Sequence, residues 1–360
     1  MKFKSTLSAC LLTVVIGMAS CNTEELTQET SSVDPSTAAK AGNCTAVPGW
    51  ASQNGSTTGG GSAAETTVTT YAQLKTAIEN STVKVIKVSG TIMITARLTL
   101  QDQSGKTLYG VSGAKLLSND QTKATSGILN VKRCTNIIIR NLIFEGPGAY
   151  DTDGWDNAVL DDCKNVWVDH CEFRDGVDGN LDVKNKSDYI TISYTKFNYL
   201  KAPKPGGSGG TDDHRFSNLI GSSDTATADR GTLRITFARC WWAPGCKERM
   251  PRVRFGKVHV VNSYFNSSVS NKCISAGFEA NLLVDRNVFE NVAKPIDLLT
   301  GYTAVTATGN VFTNTTGNTA GSNTAFTPPY SIVTLAASAV KADVSAGAGA
   351  TLTGNICGSF

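Results

Sequence analysis

Seven short segments of this chain end in an aromatic residue and recur at a nearly constant interval, and this recurrence limits the fold more than any other feature. They are 136–144 (NIIIRNLIF), 165–173 (NVWVDHCEF), 188–197 (DYITISYTKF), 233–241 (LRITFARCW), 257–265 (KVHVVNSYF), 281–289 (NLLVDRNVF) and 304–312 (AVTATGNVF). From aromatic to aromatic the steps are 29, 24, 44, 24, 24 and 23 residues. The long step reads as one repeat plus a Gly-rich loop at 202–211. Each segment alternates Val, Ile and aromatic residues with polar ones between Asn, Asp and Gly, which is the pattern of a β-strand. No amphipathic helix long enough for a βαβ unit lies between them, and a sandwich would turn every ~8–12 residues. The repeat therefore predicts stacked coils, a parallel β-helix.

The first residues belong to a different part of the argument. Lys2 and Lys4 precede an apolar run at 7–16 and then Met18, Ala19, Ser20 and Cys21. The run is too short to span a bilayer and reads as an export signal, residues 1–21. Cys21 at its end is the expected lipidation site, with an ordinary cleaved signal as the alternative. Residues 22–42 are rich in Thr, Ser, Glu and Ala and are expected to form a flexible tether. The β-helix domain is then 43–360. The net charge of +3 implies no nucleic-acid partner. Membrane attachment is expected only through Cys21, and the chain is expected to be a monomer.

Eight cysteines remain beyond Cys10 and Cys21, an even number that fits disulfides in an exported protein. Cys134 and Cys163 each stand two residues before an equivalent repeat, so they are expected to stack, bonded or as a free ladder. No Cys/His spacing suits a transition metal.

Three charged stretches are candidates for chemistry: 151–156 (DTDGWD), 175–182 (DGVDGNLD) and 247–254 (KERMPRVR). Asp156 precedes Phe173 by 17 residues and Asp182 precedes Phe197 by 15, so adjacent coils can bring the two onto one face. Carboxylates without His or Cys suit a hard cation such as calcium, although Asp-Gly runs are equally at home in solvated turns. Arg249 and Arg254 reach one groove if the chain bends near Pro251, and guanidinium groups match carboxylates in pairs. Asp169 and His170 are adjacent in a strand, so they are expected to point to opposite faces and to be structural.

These motifs resemble the pectate lyases of polysaccharide lyase family 1. The matching stretches are 166–170 (VWVDH), 178–182 (DGNLD) leading into 189–193 (YITIS), 214–221 (HRFSNLIG) and 249–259 (RMPRVRFGKVH), within about residues 47 to 349. The resemblance implies a right-handed, single-stranded parallel β-helix, all-β, that cleaves α-1,4-linked polygalacturonate by calcium-assisted β-elimination. It implies Asp156, Asp178 and Asp182 as Ca2+ ligands, Asp178 standing where many relatives have Glu. Asp153 lies nearest a further ligand position, which Gly154 occupies in strict register. Arg249 matches the base and Arg254 a ligand of the substrate carboxylate. A family lysine falls on Phe216, so Arg215 beside it is the expected substitute. The competing readings are a lyase of methyl-esterified pectin, a β-helical glycoside hydrolase and a non-catalytic pectin-binding lipoprotein.

Overall fold

The computed structural model describes residues 47–150, 154–204 and 213–353. The expected signal, tether and Cys21, and also Asp153, Cys44 and Cys357, lie outside the described residues. Within them every ladder between named strands is parallel, and the strands form three sheets of ten, eight and nine. Each full coil gives one strand to each sheet. The coil Leu181–Lys184, Asp188–Ser193, Lys196–Asn198 is typical; it follows Ala158–Asp161, Lys164–Asp169, Glu172–Arg174 in register. The expected right-handed parallel β-helix is the fold.

Each repeat segment is two strands rather than one. A corner residue in the left-handed region separates them: Asn141, His170, Tyr194, Arg239, Asn262, Arg286 and Gly309 have φ between 42° and 64°. Before the corner lies a strand of the ten-stranded sheet, called here the long sheet. After it lies a short strand of the nine-stranded sheet, whose inward aromatic rings stack from coil to coil. Phe144, Phe173, Phe197, Trp242, Phe265, Phe289 and Phe312 follow one another with centroids 4.4–5.8 Å apart. Trp242 rather than Trp241 continues the row, because Phe197 pairs with Trp242. Trp241 points outward and stacks on Tyr264. The repeat at 233–241 thus ends one residue later than its aromatic suggests.

The left-handed corner also overturns the expectation that Asp169 and His170 point to opposite faces. Strand alternation stops at His170, so its ring turns back and its Nδ1 donates to Asp169 Oδ2 over 2.7 Å. Arg140 Nε lies 3.0 Å from the same oxygen. Burial raises the proton affinity of Asp169, but His170 and Arg140 more than offset it and hold the carboxyl below its ordinary range.

The disulfides expected from the even cysteine count are not formed by the six described cysteines, which are all free and buried. Their thiols face the core and donate to nearby backbone carbonyls, as Cys163 does to Val131 O at 3.2 Å and Cys240 to Ile192 O at 3.3 Å. Cys134 and Cys163 stack on adjacent coils as an unbonded ladder, because Lys164 pairs with Thr135 just after them.

The ends and flanks of the solenoid are covered. Helix Tyr71–Glu79 buries Leu74, Ala77 and Ile78 against the first coils, with the Thr70 hydroxyl accepting from Gln73 N at its start. At its C-terminal end the buried Lys106 ammonium donates to the carbonyls of Ala77, Ile78 and Asn80. The segment after Val47 lies on the long sheet, where Trp50 N and Ala51 N donate to Thr236 and Thr191. Helix Ala337–Gly347 packs Val340 and Val344 on Tyr264 and Val288, outside the aromatic row. The eight-stranded sheet bears the charged stretches and borders the candidate site.

Candidate active site

On the eight-stranded sheet, alternation sends Leu181, Val183, Ile220 and Val253 into the core. The residues between them face out. Asp182 lies on one strand, Leu219 and Arg252 pair on the next two, and Arg252 pairs with Ser275 beyond. Asp182 is nearly buried and its Oδ1 accepts from Leu219 N at 2.8 Å. Asp156 stands just before the strand of the previous coil, also nearly buried, and among the described residues its Oδ1 has no hydrogen-bond partner. Between them runs the turn holding Asp178 and Gly179. A Cβ on residue 179 would fall 2.2 Å from Asp156 Oδ1 and 3.7 Å from Asp182 Oδ1, so only glycine leaves that space open.

The structure thus gathers Asp156, Asp178 and Asp182. Burial, followed by the charges of Asp182 and Asp178, pushes the Asp156 carboxyl well above its usual range. Asp182 is raised to about 6 by burial, with Asp178 adding to the rise and Arg249 opposing it. Like charges in a poorly solvated turn, one oxygen unpartnered, form an electrostatically frustrated site that a hard cation would relieve. Among the described residues no group of three or more His, Cys, Asp or Glu side chains is arranged to hold a metal ion. Carboxylate oxygens are the hard donors that a cation such as calcium takes, and its further positions would fall to water and substrate.

His214 completes this cluster, although the motif that contains it suggested no role. Its Nε2 donates to Asp178 Oδ1 over 2.6 Å, and its Nδ1 is buried without a partner. Their separation of 36 positions hid the contact; the signal was a histidine at the foot of an insertion bordering the acidic turn.

Arg249 has a left-handed backbone, φ 57°, and its carbonyl accepts from Asn218 N at 2.7 Å. Its guanidinium lies over the Phe216 ring, 4.6 Å from the centroid. Among the described residues it has no ion-pair partner, yet its charge reaches both Asp156 and Asp182. Phe216 at the family lysine position therefore forms the shelf for Arg249. Arg215 beside it pairs through Nε and Nη2 with Asp213, both at 2.7 Å. Arg254 pairs through Nε with Asp224 at 2.6 Å and donates to the carbonyls of Gly221 and Ser222. Its ion pair is with Asp224, not with the acidic cluster.

A cavity of about 300 Å3 on the long sheet, lined by Trp167, Asp169, His170 and Tyr194 among others, is a second candidate. Its carboxylate is already engaged by His170, Ser193 and the neighbouring Arg140. It offers no free negative charge for chemistry, and the acidic groove remains the candidate site.

A parallel β-helix with an acidic turn and an unpaired arginine along one sheet is the architecture of a solenoid polysaccharide lyase. The chain belongs to the pectate lyase family, whose model matches residues 8–352. A probable pectate lyase B of Aspergillus terreus is 34% identical over 251 residues, 68% of each chain. Pectate lyase E of Dickeya chrysanthemi is 34% identical over 285 residues, 68% of this chain and 70% of the relative. A pectate trisaccharide-lyase of Bacillus licheniformis is 33% identical over 304 residues, 79% of this chain and 80% of its own. Among solved structures, a pectate lyase variant from Bacillus subtilis shares the fold at TM-score 0.70 and 24% identity, covering 85% of this chain and 97% of that one. One from Bacillus sp. N165, in complex with trigalacturonate, matches at TM-score 0.68 and 25% identity, covering 84% and 98%.

Proposed function

We propose that this protein is a calcium-dependent pectate lyase that cleaves α-1,4-linked polygalacturonate by β-elimination. The observation that carries the reading is the Arg249 guanidinium, without an ion-pair partner among the described residues, beside a buried acidic turn in which Asp156 Oδ1 likewise lacks a hydrogen-bond partner. Asp156, Asp178 and Asp182 would hold Ca2+; Asp153 remains a candidate ligand from its position in sequence. Calcium, when held by these residues, would supply positive charge that neutralises the uronate carboxylate and acidifies the adjacent C5–H. Arg249 takes the C5 proton. The C5–H electrons become the C4–C5 double bond as the C4–O bond breaks, which leaves a 4,5-unsaturated sugar and a new chain end. Arg254 and Arg215 are the substrate-carboxylate ligands that the motifs suggest, each reaching the sugar only by leaving or sharing its present acidic partner.

The experiment is the absorbance of unsaturated products from de-esterified and methyl-esterified pectin, with calcium and with a chelator. Cleavage of de-esterified polymer that stops with the chelator supports the reading. Chelator-resistant activity, or saturated products, would sink it.

The domain proposal is a β-helix over 43–360 behind a signal at 1–21 and a tether at 22–42, exported and anchored through lipidated Cys21. The small residues before Cys21 and the apolar run at 7–16 support it. Substituting Cys21→Ser should move the protein from the membrane fraction to the medium.

A further inference from the structure

Three arginines share the strand region that faces the acidic turn, and only two carry the motif. Arg254 is engaged by Asp224 and two carbonyls, and Arg249 rests on Phe216. Arg252 lies between them on the strand Arg252–Val253. Val253 fills the core, so strand alternation sends Arg252 outward, on the same side as Asp182 and two strands beyond it. Strand spacing of about 4.8 Å puts the two roughly 10 Å apart along the solenoid. Among the described residues Arg252 has no ion-pair partner. Its Nε is buried with no acceptor, and the hydroxyl of Ser275, its register partner on the next strand, is buried without a partner too.

Unpaired buried donors are rare in folded proteins and ask for a reason. Here burial and the charges of Arg254 and Arg249 all disfavour the charged form of Arg252. An anion bound at the outward end of the guanidinium offsets the repulsion from Arg254 and Arg249, while the buried Nε and the Ser275 hydroxyl lie out of its reach. Nothing in the described chain supplies one, although Glu248 and Asp224 lie close enough to moderate the charge.

We infer that Arg252 is a substrate-binding residue, the outward end of its guanidinium forming a subsite for the carboxylate of a uronate on the side of the groove away from Asp156. The inference rests on the proposed polyuronate substrate. The planar guanidinium presents two parallel donors to the two carboxylate oxygens, and the subsite rejects a methyl ester, which lacks the charge and one acceptor. Arg254 holds the neighbouring loop through Asp224, and Arg252 meets the polymer.

The test compares wild type with Arg252→Ala at saturating calcium, on de-esterified and on methyl-esterified pectin. Loss of a charged hydrogen-bonding group should raise KM on the de-esterified polymer about tenfold to a hundredfold, with kcat changed far less. The preference for de-esterified over esterified substrate should shrink by a similar factor. The melting temperature should hold or rise, since a repelled charge is removed. An unchanged KM, or a KM increase that appears only with a lowered melting temperature, overturns the assignment. Should wild type release no unsaturated product, the lyase reading fails separately. The subsite is then read by retardation of the protein in gels containing polygalacturonate, which Arg252→Ala should weaken and which, if unweakened, overturns it.

Discussion

Residue 179 has no Cβ, and the space that atom would fill is occupied by Asp156 Oδ1, 2.2 Å from its position. The acidic turn exists in this form because a glycine lies between Asp178 and Asn180. The two residues are 23 apart in the chain and one coil apart in space, so the fit belongs to the stacking and not to the motif.

Substituting Gly179→Ala should therefore turn the Asp156 carboxylate away while the coil survives, since the clash is with a side-chain end. The expected outcome is a calcium requirement raised at least about tenfold with a nearly unchanged melting temperature. Calcium titration of activity and a melting curve measure the two.

Asp182 holds its proton up to about pH 6 because of burial first and Asp178 after it. Its folded value lies above its unfolded one, so the folded state gains protons as pH falls through 6 and the cation-free protein is penalised above that. In a chelator at pH 8, Asp182→Asn should stabilise the fold by about 1 to 3 kcal/mol, and added calcium should reverse the ranking. Denaturant midpoints in both buffers decide it.

Arg249→Ala should lower kcat at least about a hundredfold with KM changed only a few-fold, the pattern expected when a proton-transfer group is removed. Lost affinity with kcat preserved would make Arg249 a binding residue instead.

His259 is buried, its Nδ1 beside the Tyr330 hydroxyl at 3.1 Å and its Nε2 without a partner. Burial depresses it to about 4. The unfolded chain therefore binds the proton first, and stability should fall as pH drops from about 6.5 to 4, by up to about 3 kcal/mol. His259→Asn should lose that part of the pH slope in urea unfolding.

The thiols make a prediction of the opposite kind. Burial pushes Cys163, Cys171, Cys240 and Cys246 up to about 12, and Cys134 and Cys273 rise as well. Native protein at pH 8 should leave these six unalkylated by iodoacetamide, while protein in denaturant should react fully. Mass spectrometry of the peptides reads the difference.

Much of this architecture was already legible in the chain. The interval between aromatic residues predicts stacked coils, because a coil that must return to the same core position uses a similar number of residues each time. Alternation within the repeat segments marks them as strands. Asp156 and Asp182 could be placed on one side of the solenoid by counting back from Phe173 and Phe197. These are properties of chain distance and local backbone preference, which a sequence carries directly.

What the chain alone left undecided depends on register between coils and on single corner residues. The left-handed conformation of His170 folds it onto Asp169, against strand alternation. Pairing of Phe197 with Trp242 moves the aromatic row by one residue. His214 meets Asp178 across 36 residues, Gly179 makes room for Asp156, and Arg254 is engaged by Asp224 while Arg252 keeps an unpartnered Nε. Period and alternation were determined by the sequence itself; the partner of each charge was decided only when the coils stacked, because burial and charge act through space between residues that the chain keeps far apart.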